Sequence, residues 1–152
     1  MCLAIAPTHQ SRSVNPTPAL LASTALPHHR NRCDILIVDP EPDIRQIIQT
    51  SLEVTTSWSV MATHSYHAGA KLTFSLSPRV LLLNLPLGAV PRAHYLLPFQ
   101  QLVASQGIHW VVMVDRVQRS DRQHLLDCGI DGIIAKPFDC DQLVALLSQW
   151  LD

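Results

Sequence analysis

The stretch Asp34-Ile35-Leu36-Ile37-Val38-Asp39-Pro40-Glu41-Pro42-Asp43-Ile44 decides how this chain folds. Ile35 to Val38 is a short, continuous aliphatic run rich in β-branched residues, the pattern of a strand buried on both faces. The acidic, proline-interrupted segment from Asp39 to Asp43 ends it. Ile44, Ile47, Ile48 and Leu52 then recur at helical spacing, and the acidic residues crowd the helix start, where the dipole favours negative charge. The order is strand, acidic loop, helix.

Further along, the same alternation repeats. Trp58 to Thr63 reads as a second strand, and Tyr66, Ala70 and Phe74 mark one face of a second helix. Pro78-Arg79 opens the run Val80-Leu81-Leu82-Leu83, which ends at Asn84; a loop with Pro86, Gly88 and Pro91 follows. A third helix is expected from Ala93 to Ser105, kinked or shortened by Pro98. His109 to Val114 is a fourth buried strand running into Asp115. Ser120 is expected to cap a fourth helix carrying Leu125 and Leu126, with Gly129 ending it. Gly132 to Ala135 forms a short fifth strand leading to Lys136-Pro137. The last helix starts near Asp139 or Asp141 and turns Leu143, Leu147, Trp150 and Leu151 to the core.

Five strand-then-helix units predict an α/β fold: a doubly wound, five-stranded parallel sheet with helices on both faces. Ligand sites in such sheets lie at the carboxyl ends of the strands. Asp39, Asn84, Asp115 and Lys136 end the first, third, fourth and fifth strands, so they are the residues to watch.

Composition narrows the function classes. A chain of 152 residues, 47% hydrophobic and 15% charged, suits one globular domain with a real core. A net charge of -1 gives no general pull toward nucleic acid or an anionic membrane. No apolar run approaches the roughly 18 residues of a membrane span, and Met1 to Pro7 lacks the layout of a secretory signal. Residues 1–32, rich in Pro, Ser, Thr, Ala and His, read as a flexible tail before a domain over 33–152. Cys2, Cys33, Cys128 and Cys140 form no C-x-x-C pair, which favours free thiols and a reducing, cytoplasmic setting. His28 with His29, and His64 with His67, lack a third ligand at a recognisable spacing, so no metal site is assigned to them. His109 and Trp150 read as structural, and nothing basic adjoins Cys128 or Cys140 to activate a thiol.

Ile35 to Arg45, Pro78 to Asn84 and Gly129-Ile130-Asp131-Gly132-Ile133-Ile134-Ala135-Lys136-Pro137-Phe138 together resemble the receiver domain of two-component response regulators. The resemblance covers Asp34 to Asp152 and implies the flavodoxin-like sheet with strand order 2-1-3-4-5. It also implies a chemistry. Two acids after the first strand help to hold Mg²⁺, and an aspartate after the third accepts a phosphoryl group. A Thr or Ser after the fourth strand and a Lys after the fifth contact the phosphoryl oxygens, and an aromatic in the fifth strand acts as a switch.

Carried onto this chain, Asp39 matches the first acid and Lys136 the lysine, while Lys136-Pro137 matches the family's cis peptide. Pro40 stands at the second acid, Asn84 at the acceptor, Asp115 at the hydroxyl and Ile133 at the switch. The amide of Asn84 has no ionised oxygen with which to form an acyl phosphate. With two carboxylates gone, Mg²⁺ binding is expected to be weak or absent, leaving Asp39 as a weak metal candidate. Glu41 is expected to point away from the site. Lys136 either pairs with Asp115 or Asp39 and locks the site in one state, or these residues remain as unpaired surface charges.

These readings describe a stand-alone, degenerate receiver in bacterial phosphorelay signalling, non-enzymatic and without cofactor, whose protein interactions do not depend on phosphorylation. The alternative is a receiver still phosphorylated at a non-standard residue. The expected partner is another signalling protein acting in trans (a histidine kinase, a response regulator or an output protein), with a homodimer as a further mode, and neither nucleic acid nor membrane. The family's fourth-helix, fifth-strand and fifth-helix face would present Arg119, Arg122, Gln123, Ile133 and Gln142. A flavodoxin-like redox protein or hydrolase on the same sheet would need a Gly- or Ser/Thr-rich phosphate loop where this chain has Asp39-Pro40-Glu41-Pro42.

Overall fold

The alternation predicted from the sequence is present. A computed structural model describes residues 32–86, 93–115 and 119–152. Its elements run β1 (Ile35–Val38), α1 (Pro42–Thr55), β2 (Val60–Thr63), α2 (Tyr66–Leu76), β3 (Val80–Asn84), α3 (Ala93–Gln106), β4 (His109–Val114), α4 (Arg119–Asp127), β5 (Gly132–Ala135) and α5 (Cys140–Leu151). The five strands form one parallel sheet in the order β2-β1-β3-β4-β5. The tail over 1–31 and the loop glycine and proline at 88 and 91 lie outside the described residues.

The pleat sorts the core into two layers. Ile35, Ile37, Val80, Leu82, Val111 and Met113 point to one face, where Ile48 and Leu52 of α1 and Leu143, Leu147 and Leu151 of α5 cover them. Leu36, Val38, Leu81, Leu83, Val112 and Val114 point to the other, beneath Leu96, Phe99 and Val103 of α3 and Leu125 of α4. Each fully buried side chain of this size contributes about 1.5–3 kcal/mol. The continuous apolar runs of β1, β3 and β4 are thus explained by burial on both faces.

Four local expectations need correction. Ile47 is 61% exposed rather than core, because it lies about 100° around the helix from Ile48 and so leaves the stripe that meets the sheet. Phe74 is 68% exposed because α2 is rotated to press Gly69 onto β1. A Cβ at Gly69 would stand only 2.7 Å from Val38 Cγ2, so this contact sets the helix face. Of the two outcomes expected for Pro98, shortening does not occur: α3 continues through it to Gln106. Pro98 is exposed, so its ring lies on the water side of the helix. Ser120 lies inside α4, which starts at Arg119, so it is not the cap.

Other ends form as their chemistry dictates. Ser65 caps α2 by accepting from the Ala68 N–H at 3.1 Å. Asp139 caps α5 in a reciprocal box with Gln142, at 2.8 and 3.2 Å. Trp58 and Ser59 precede β2, and the Ser59 carbonyl accepts from the Asp34 and Ile35 N–H groups. Gly129, with φ 94°, turns the chain from α4 toward β5.

Candidate functional site

Strand register builds the site two residues at a time. Val38 is registered with Leu83, so the next residues, Asp39 and Asn84, emerge side by side at the carboxyl edge of the sheet. Val114 is registered with Ala135, which sets Asp115 beside Lys136 in the same way. The cis Lys136-Pro137 peptide follows directly, and the Lys136 N–H donates to the Val114 carbonyl at 2.7 Å.

The first pair is sealed and hydrogen-bonded. Asp39 is 0% and Asn84 1% exposed. Asn84 Nδ2 donates to Asp39 Oδ1 at 2.8 Å, and the Glu41 N–H donates to the same oxygen at 2.9 Å. Arg45 fixes the backbone here, donating to the Asp39 carbonyl at 2.7 Å. Tyr66, at the start of α2, does the same for Asn84, its phenol donating to the Asn84 carbonyl at 2.6 Å. Burial, then the carboxylate of Asp39, then Tyr95 and Glu41 push the Tyr66 hydroxyl well above its usual range, so it stays a donor. Asp39 Oδ2 and Asn84 Oδ1 are buried without a hydrogen-bond partner among the described residues.

The second pair is open and loose. Lys136 Nζ lies 4.0 Å from Asp115 Oδ1 and 4.0 Å from Glu41 Oε1, with side chains 14%, 37% and 58% exposed respectively. Asp115 is therefore the partner of Lys136, and Asp39 is occupied elsewhere. Glu41 corrects the expectation that it points away: its backbone serves Asp39 while its side chain reaches the lysine. Such partly exposed pairs are worth about 0.2–1 kcal/mol each, too little for a rigid lock. Pro40 is exposed in the loop above the site, and Ile133 is half-buried against the core layer.

The Mg²⁺ that the receiver resemblance implies does not fit this donor set. Asp39 has one oxygen spent on two N–H donors and the other sealed, and Asn84 turns its nitrogen toward the carboxylate. Glu41 and Asp115 already face an ammonium. Octahedral Mg²⁺ with its waters needs accessible oxygens. Among the described residues no group of three or more His, Cys, Asp or Glu is arranged to hold a metal.

The other predicted positions are scattered. Arg119, Arg122 and Gln123 are exposed on α4, whereas Gln142 is engaged in the α5 capping box. His64 and His67 are exposed, and His109 stacks on Trp150 with ring centroids 5.4 Å apart. Cys33 is buried, and burial first, then Asp34, push its thiol up to about 11. No described helix is long and apolar enough to cross a membrane. Arg45 and Tyr66 were not singled out from the sequence. Arg45 carried a usable signal, lying one helical turn after Glu41, whereas Tyr66 had been absorbed into a core face.

Comparison with known proteins agrees with this fold. The family model for the response regulator receiver domain matches residues 35–148. Among curated proteins, the chain is 27% identical over 118 residues to response regulator Rre1 of Synechocystis sp., covering 77% of this chain and 51% of that protein. It thus spans about half the length of Rre1. It is 24% identical over 117 residues to an uncharacterized 14.6 kDa protein in the sodA1 3' region of Leptolyngbya boryana, covering 77% of this chain and 88% of that one. Among solved structures, a CheY-like receiver domain protein from Methanospirillum hungatei superposes with a TM-score of 0.68 at 19% identity, covering 80% of this chain and 94% of that one.

Proposed function

Because this chain belongs to the response regulator receiver domain family, we propose that it is a degenerate receiver of two-component signalling that engages its partner without being phosphorylated. One observation carries the reading: the residue at the acceptor position is Asn84, and its amide is consumed in a buried bond to Asp39. An amide nitrogen cannot attack a phosphoryl donor as a carboxylate does. Pro40, which supplies no second acid, and Asp115, whose charge would repel phosphoryl oxygens, act in the same direction. The Asn84–Asp39 bond holds together, by a neutral donor, strand ends that two carboxylates would drive apart. We include weak Mg²⁺ affinity in the proposal for that reason. The partner is another signalling protein, met through exposed surface such as α4 with Arg119, Arg122 and Gln123.

Incubation with acetyl phosphate and Mg²⁺, followed by intact mass measurement, tests the proposal. The mass is expected to stay unchanged, and also in N84D, because Pro40 and Asp115 remain. A stoichiometric phosphoryl adduct on the natural chain would overturn it. Asp115 and Glu41, partly exposed carboxylates each 4.0 Å from Lys136, favour the second reading of phosphorylation at a non-standard position. An adduct mapped there would establish that reading instead.

A further inference from the structure

Between α1 and α5, beside but distinct from the sealed Asp39–Asn84 pair, runs a groove of about 310 Å³. Its walls are apolar: Ile44, Ile47 and Ile48 from α1, Leu143 from α5, and Pro137 with Phe138 from the loop between β5 and α5. Ile47 is 61% exposed, so its outer side is open among the described residues. The volume lies at the lower end of the roughly 300–1,000 Å³ typical of small-molecule sites, so an occupant must be small.

At one end the groove is polar. Lys136 and Asp115 both line it, with Nζ and Oδ1 4.0 Å apart, and neither side chain makes a hydrogen bond among the described residues. An ammonium only 14% exposed thus has donors to give, and the carboxylate beside it has lone pairs to fill. This pair selects the head group of a ligand. A carboxylate would satisfy Lys136 but stand against Asp115. A cation would satisfy Asp115 but stand against Lys136. A neutral group that accepts from the ammonium and donates to the carboxylate bridges the gap and meets no like charge.

We propose that this groove binds a small apolar molecule bearing one neutral donor–acceptor head, of the chemical class of a primary amide. The inference goes beyond the receiver reading and does not depend on whether phosphorylation has been lost. It places a chemical input on the same edge of the sheet where the lysine stands.

Three probes with one skeleton, para-butylbenzamide, para-butylbenzoate and para-butylbenzamidine, separate the heads. In NMR titrations of the full chain, the benzamide is expected to shift the signals of Ile47, Ser51, Cys140 and Leu143 saturably. Its affinity should exceed that of the other two by about tenfold or more, the ratio expected for one hydrogen bond to a charged group. K136M should reverse the preference toward the benzamidine, and D115N toward the benzoate. Since neither side chain makes a hydrogen bond among the described residues and their ion pairs are loose, both variants should retain the parent spectrum away from the groove. Bound benzamide should also slow alkylation of Cys140, which lines the same wall. Equal affinity for the three heads, shifts confined to other surfaces, or an unchanged order in both variants would each overturn the proposal.

Discussion

The two halves of the candidate site were built by the same device and differ in everything else. At the ends of β1 and β3, register delivers Asp39 and Asn84 into a sealed position, where they meet at 2.8 Å and Arg45 and Tyr66 each fix one of the two backbones. At the ends of β4 and β5, register delivers Asp115 and Lys136 to a part-exposed position, where they stand 4.0 Å apart. Burial makes the difference. A polar group removed from water must be paired closely or it costs stability, whereas a solvated charge tolerates a loose arrangement. The sealed half therefore bears on stability, and the open half is free to meet something else.

Replacing Asn84 should break this contrast most strongly. Asn84→Leu removes the amide and leaves the buried carboxylate of Asp39 short of a donor; a loss of about 3 kcal/mol is expected in chemical denaturation. Asn84→Asp should destabilise at pH 7 for a different reason, since two carboxylates would face each other where a 2.8 Å bond now lies. The folded state of that variant holds a proton that the unfolded state releases more readily. Its stability should then rise as the pH falls toward 4 and fall as the pH returns to neutral, a sign that the leucine variant lacks.

Gly69→Ala probes the backing of the sealed half, because the new Cβ would press on Val38 at 2.7 and 2.9 Å. A loss of about 1–3 kcal/mol is expected, measurable as a lower thermal midpoint. Lys136→Met should have the smallest effect, changing stability by less than about 1 kcal/mol because both its partners are partly exposed. A loss of several kcal/mol there would mean that the open half is a lock after all.

Much of this is legible in the sequence, and the reasons are specific. Ile35 to Val38 and Val80 to Leu83 are too short and too apolar to be anything but buried strands, so their following residues had to line the carboxyl edge. Which edge residues would touch was not legible from periodicity, because it depends on strand order, and that came from the family resemblance. Periodicity also misassigned Ile47 and Phe74, since an apolar residue at the margin of a stripe has no signal for which way its helix rolls. Gly69 made that choice for α2, through an absent side chain. Tyr66 was read by its ring alone, though the hydroxyl at its tip reaches the carbonyl of Asn84. Glu41 escaped because a backbone donor and a side-chain acceptor in one residue can serve two neighbours at once.

The position of β1 has a consequence for how the chain reaches this state. β1 comes first among the strands, yet it lies between β2 and β3, so both of its partners are made after it. Until they arrive, Ile35 to Val38 is an unpaired, wholly apolar strand with two open edges, the kind of segment that recruits other chains. Asp34 precedes it, and Asp39, Pro40 and Glu41 follow it, charges and a proline that oppose intermolecular pairing. The acidic loop that shapes the mature site would thus also act during folding as the guard of the strand it terminates.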